Sequence, residues 1–141
     1  MKELTIAPRA GKRYLKLLEN AIGNVLPESL KEIILKYAGL TVLEDIYEDE
    51  SKTLWEIQSF DNVASMVDLT KEFTEKGWGK KLPFAYDPGG WHYCLSFDED
   101  TYGKVIVNRW TDHEEKDQFL VIAESFEEFI NGLKRRPEEN T

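Results

Sequence analysis

The chain has 141 residues, of which 41% are hydrophobic and 32% charged, with a formal net charge of -9. That length is the usual size of one domain and is enough for a hydrophobic core without disulfide or metal staples. The negative charge argues against a general nucleic-acid binder and against docking on anionic lipid, since both would repel it. The lone cysteine, Cys94, has no intramolecular partner for a disulfide, which fits a reducing compartment. The N-terminal MKELTIAPRAGKRY has no apolar run of signal-peptide type, and no stretch approaches the ~20 apolar residues of a membrane span. The expected location is cytoplasmic.

Charge is unevenly spread. Residues 1–40 hold seven Lys or Arg against four Asp or Glu, whereas residues 41–70 hold one lysine against eight acids. Glu44, Asp45, Glu48, Asp49 and Glu50 crowd one short stretch. Such a run is a solvated loop or edge, or an anionic docking surface that speeds encounter with a basic partner.

In chain order, Tyr14, Leu17, Leu18 and Ala21 repeat at helical spacing, with Leu15 and Ile22 widening the stripe, and predict a helix over Lys12–Ile22, ended by Gly23. A second helix opens with Pro27 at its first position and carries Leu30, Ile33, Ile34, Tyr37 and Ala38 on one face up to Gly39. Thr41–Tyr47 and Lys52–Ser59 read as an antiparallel hairpin about the acidic turn Glu48–Ser51. Asp61 is the expected N-cap of a third helix bearing Val63, Met66, Val67 and Phe73 and ending at Gly77. A short strand Leu82–Tyr86 leads to the turn Asp87-Pro88-Gly89-Gly90. Trp91–Phe97 alternates as a half-buried strand, Asp98–Tyr102 is an acidic turn, and Gly103–Trp110 is the partner strand. Phe119–Ala123 is a last strand. Ser125 and Glu128 form a capping box for a helix carrying Phe126, Phe129, Ile130 and Leu133. Residues 137–141 are expected as a disordered tail after a single domain over 1–136.

Helices and antiparallel strands come in segregated runs, which predicts an α+β fold: a mostly antiparallel sheet of five or six strands with about four helices packed against it.

Three segments in this order resemble the SUKH superfamily, which includes Smi/Knr-type regulators of fungal cell-wall glucan synthesis and many bacterial immunity proteins. They are Leu26-Pro27-Glu28-Ser29-Leu30-Lys31-Glu32; Trp78-Gly79 followed by Leu82-Pro83-Phe84-Ala85-Tyr86-Asp87-Pro88-Gly89-Gly90; and Gly103-Lys104-Val105 with Ser125-Phe126-Glu127-Glu128-Phe129-Ile130. The match spans about Gly23–Leu133. One departure is Ala38-Gly39, where the family often has Asn-Gly, so no role is carried over to that corner. The resemblance implies a Smi/Knr-like fold without a catalytic centre or cofactor. It implies a protein that binds and neutralises a bacterial toxin, often a nuclease, or alternatively a regulatory or scaffold protein of cell-wall synthesis.

The residues leave several sites to weigh. Asp87, His92, Cys94 and Asp98 are all metal-ligand types, but no second His/Cys pair completes a tetrahedron, and the other histidine, His113, lies in a charged loop. Cys94 with His92 or His113 could form a nucleophile and base, though acids surround the thiol and packing is its more ordinary use. The four tryptophans, Trp55, Trp78, Trp91 and Trp110, are core fillers or binding anchors. The candidate partner-binding set is Glu44, Glu48, Asp49, Glu50, Trp78, Trp91, Asp98, Glu99 and Asp100, facing a protein partner, a basic toxin domain. The chain itself is expected to be a monomer or weak homodimer, with no nucleic-acid or membrane partner.

Overall fold

A computed structural model describes residues 2–4, 11–110 and 114–136. Among the described residues, four α-helices and seven strands follow one another as α1 Lys12–Ile22, α2 Glu28–Tyr37, β1 Ile46–Glu48, β2 Leu54–Glu56, β3 Ser59–Phe60, α3 Val63–Glu75, β4 Lys81–Tyr86, β5 His92–Ser96, β6 Val105–Asn108, β7 Phe119–Ala123 and α4 Phe126–Asn131. The architecture is α+β, with β1 and β2 forming a two-stranded sheet and β3-β4-β5-β6-β7 a five-stranded antiparallel meander. The expected tail, residues 137–141, lies outside the described residues, as does His113.

The buried stripes follow the predicted ones only in part: Leu17 of α1 and Tyr37 of α2 are exposed, and α1 turns Leu15 and Ile22 inward beside Leu18. Leu15, Leu18 and Ile22 of α1, Leu30 and Ile34 of α2, and Phe126 and Phe129 of α4 join one apolar cluster with the sheet. Pro27 precedes the first helical residue instead of occupying it. Its ψ of 146° is extended, and its carbonyl accepts the first helical bond, from Lys31 N–H at 3.1 Å. The cap of α3 also differs from expectation. Asn62 Oδ1 accepts from Ser65 N–H at 2.9 Å, while Asp61 turns inward, is 4% exposed and meets the His92 ring. Asp61 directly follows β3 and its N–H still bonds to Phe84 O on β4, so its side chain meets His92 on β5 and the next residue is left to cap.

The predicted hairpin forms, but shorter, pairing Tyr47 with Trp55 and Glu48 with Leu54. The stretch expected as its second strand divides between two sheets. Ile57 N–H donates to Asp45 O, whereas Gln58 N–H donates to Tyr86 O, so the chain passes from the small sheet to the large one between them. The outer edge of β1 is closed by the C-terminal segment, through Ile46 N–H to Lys134 O at 3.1 Å and Lys134 N–H to Ile46 O at 2.9 Å.

Strand β5 was expected to be dry on one face only, yet Tyr93, Cys94, Leu95 and Ser96 are all buried. The register explains why. On one face Leu82, Tyr93, Leu95, Val105 and Val107 line up. Phe84, two residues beyond Leu82, lies on the same side, where its ring meets Phe126 at 5.1 Å and Phe129 at 5.6 Å, and the register shift after Pro83 brings Ala85 opposite Tyr93. The reverse face carries Pro83, Cys94 and Ile106, and on that side Phe73, Trp78, Trp110 and Phe119 form a second aromatic group with centroids 5.5–6.0 Å apart. A central strand covered twice loses the wet-dry alternation that its polar residues suggest.

Candidate protein-interaction surface

One of its own carboxylates builds the β1–β2 turn. Asp49 Oδ1 accepts from Ser51 N–H at 2.9 Å and Thr53 N–H at 3.0 Å, and Oδ2 accepts from Trp55 Nε1 at 2.9 Å. Asp49 therefore holds the turn together, and Glu50 is left exposed at its tip. Lys52 closes the turn at a φ of 67°, a conformation seldom taken by residues other than glycine, asparagine and aspartate.

The neighbouring acids are stitched to the C-terminal segment. Arg135 Nε donates to Glu44 at 2.9 Å, and this bond holds the Glu44 carboxyl below the usual range. Arg136 meets Asp45 at 3.3 Å and also Glu56, and Glu48 lies between Lys52 at 3.8 Å and Lys134 at 3.9 Å. Sequence reasoning missed this neutralisation. Its signal was the basic triplet Lys134-Arg135-Arg136, of opposite sign.

Between the turn Asp49–Ser51 and residues Val121–Glu124 opens a shallow cleft of about 120 Å³ that Glu128 also lines. Its field is negative: Tyr47 ionises above its usual range because of burial and then because of Glu128, Asp49 and Glu50. Lys104 offsets part of the charge, with Nζ 3.2 Å from Glu124.

At the same end of the sheet, past β5, a 3-10 turn over Glu99–Thr101 exposes Glu99 and Asp100. Asp98 is not presented with them. It accepts from Lys80 N–H at 2.8 Å and from Lys81 Nζ at 2.7 Å. Burial raises its pKa, but the bonds from Lys80 and Lys81 and the two lysine charges outweigh that, and the net shift is downward. Gly79 is required beside it: its φ is 85°, and a Cβ there would lie 2.6 Å from Asp98 Oδ2.

The two tryptophans of the candidate set fall on opposite faces. Trp78 joins Phe73, Trp110 and Phe119 on the reverse face, with Lys76 Nζ 4.9 Å above its ring. Trp91 is half-buried and packs against the main cluster, with its N–H donating to Asp87 Oδ1 at 2.8 Å. Trp110, weighed with the other tryptophans but not placed in the candidate set, packs beside Trp78. Its φ of 53° is unusual for so large a side chain, and Asn108 Oδ1 and Gly90 O accept from its backbone and indole N–H groups at 2.9 Å each.

The residues weighed as metal ligands or nucleophile are engaged separately. Asp87 caps its own turn, accepting from Gly89 N–H and Trp91 N–H. His92 Nδ1 lies 3.2 Å from Asp61 Oδ2. Cys94 is wholly buried, and burial and then the Asp61 charge push its thiol far above the ordinary range. Among the described residues no group of three or more His, Cys, Asp or Glu is placed to hold a metal ion, and no helix is long and apolar enough to cross a membrane.

Comparison with known proteins gives two matches. The SUKH_6 family model, described as SMI1-KNR4 cell-wall, matches residues 13–130. A prophage-encoded protein of Bacillus subtilis strain 168, named SPbeta prophage-derived uncharacterized protein YokK, is 29% identical over 146 residues, covering 87% of this chain and 74% of its own.

Proposed function

Because the chain belongs to the SUKH_6 (SMI1-KNR4 cell-wall) family, we propose that it is a non-catalytic, cytoplasmic protein-binding domain that acts as an immunity protein, neutralising a bacterial toxin. The observation that carries this reading is the anionic end of the sheet, where Glu50, Glu99, Asp100 and Glu124 are exposed on short, internally bonded turns and a strand end. A nuclease toxin has a basic groove for its nucleic acid, and a pre-arranged negative surface would steer onto it and cover it. The burial of Cys94 and the pairing of His92 with Asp61 support a binding role over a hydrolytic one. The prophage origin named for the relative fits a gene that travels between bacteria, as an immunity gene would.

The test pairs the protein with toxin domains encoded beside its gene, scoring survival on co-expression and measuring association rates. Glu48→Lys with Glu50→Lys, leaving Asp49 to hold the turn, should slow association by roughly tenfold at low salt and much less at high salt. An unchanged rate would remove the steering role, and survival that never depends on the protein would remove the immunity reading. The family description favours a second reading, a regulator or scaffold in cell-wall synthesis. That reading predicts several weak, salt-sensitive partners in place of one stoichiometric complex.

A further inference from the structure

We infer that β7 is a docking edge that takes an extended, basic segment of the partner as an added sixth strand. The inference rests on the reading above that the chain binds a basic protein, and it assigns the place and the mode of contact.

The two ends of the meander are finished differently. At β3 the outer side is occupied, with Phe60 N–H and Ser59 Oγ donating to Leu40 O at 2.9 and 3.2 Å. At β7, Phe119–Ala123 pairs with β6 on one side only. Arg109 N–H donates to Gln118 O, and the alternation of an antiparallel ladder then turns Leu120 toward β6 and leaves the N–H and C=O of Phe119 and Val121 pointing outward. Among the described residues no backbone group bonds to them from the open side. The strand has no proline or charge to blunt it, and Leu120 and Val121 are 36% and 38% exposed, one toward each face of the sheet.

Charge selects the occupant. The open edge runs into the cleft bounded by Asp49, Glu50, Glu124 and Glu128, where carboxylates outnumber the neighbouring cations Lys104 and Lys52. An incoming strand with lysine or arginine at alternate positions would place its cations there, while its backbone bonds to Phe119 and Val121 and its apolar side chains cover Leu120 or Val121. A second copy fits worse. Antiparallel self-pairing would bring the Glu124 end against a partner end bearing Glu115, Lys116 and Asp117, between two chains of charge -9.

The probe is an end-capped synthetic peptide of about ten residues alternating lysine with valine or threonine, titrated into the full chain and followed by amide NMR and hydrogen exchange. The expected result is protection of the Phe119 and Val121 amides and salt-sensitive binding. N-methylating the peptide at the positions facing β7 should weaken it by roughly tenfold. Val121→Pro should do the same with the sheet intact, since proline is tolerated where the N–H faces outward. Glu50→Lys should also weaken it. No binding, unchanged affinity after methylation and in Val121→Pro, or protection mapped elsewhere would overturn the proposal, as would dimerisation of the free chain through β7. A toxin complex that leaves Phe119 and Val121 exchanging freely would sink the edge assignment and spare the immunity reading. Peptide binding at β7 without any toxin neutralised would do the reverse.

Discussion

Carboxylates in this protein divide by what their oxygens accept. Asp49 and Asp98 belong to the acidic stretches Glu44–Glu50 and Asp98–Asp100, yet the oxygens of each are engaged inside the fold, by backbone N–H groups and by Trp55 or Lys81. Glu50, Glu99 and Asp100 remain outside. Composition exposes the run and its sign, but which member turns inward depends on donors 2 to 18 residues away, such as Ser51 for Asp49 and Lys80 for Asp98. That choice was not readable from the chain. Asp98→Asn tests the consequence. The folded carboxyl titrates below its unfolded value near ~3.9, so the stability it contributes is complete above that pH and is lost as the pH falls through the folded pKa. The variant should be less stable than the parent by about 1 kcal/mol at pH 7. The difference should begin to narrow below about pH 4 and close only once the pH is below the lower, folded pKa, as read from urea midpoints across that range.

At the scale of elements, local chemistry was legible where an element is held by its own residues. Strand β7 and helices α1 and α4 lie where periodicity places them, because their apolar stripes and end signals agree. Elements placed by long-range contacts were blurred. The second strand of the hairpin splits at Ile57, where bonds to Asp45 and Tyr86 draw the chain two ways, and neither partner is visible locally. The cap of α4 is a mixed case. Ser125 Oγ accepts from Glu128 N–H at 3.0 Å as expected, but Glu128 Oε2 accepts from Glu124 N–H, the donor at the end of β7, and not from Ser125. The helix and the strand are thus tied at one point. Ser125→Ala should cost about 1 kcal/mol. A loss of that size in urea denaturation, without change in the denaturant slope, would show that the cap alone is affected.

For the whole molecule, the two-sided burial of β5 decides how the protein opens. Cys94 lies at the centre of the meander, with Pro83 and Ile106 beside it and the aromatic group on its face. No small fluctuation of a turn exposes it. Its labelling by a thiol reagent should therefore be slow in native buffer and should rise with denaturant along the global unfolding curve. Rapid native labelling would mean that the sheet parts locally. The class of fold was open to the sequence because segregated helices and strands leave few architectures. The candidate surface was only half open to it, since the acidic turn is a local feature whereas the basic triplet that quiets it, and the unpaired edge beside it, exist only once the chain has closed.

That closure has an order in time. The meander pairs each strand with its sequence neighbour, so its ladders can form as the chain emerges during synthesis. The outer edge of β1 has no such neighbour and waits for Lys134, 88 residues later. Until that residue has left the ribosome, the outer edge of the acidic hairpin is unpaired, Glu44 and Asp45 lack their arginine partners, and Glu48 keeps Lys52 but lacks Lys134. The nascent protein therefore carries a looser and more negative face than the finished one, and the surface proposed to meet a basic partner is among the last parts of the molecule to take its final charge.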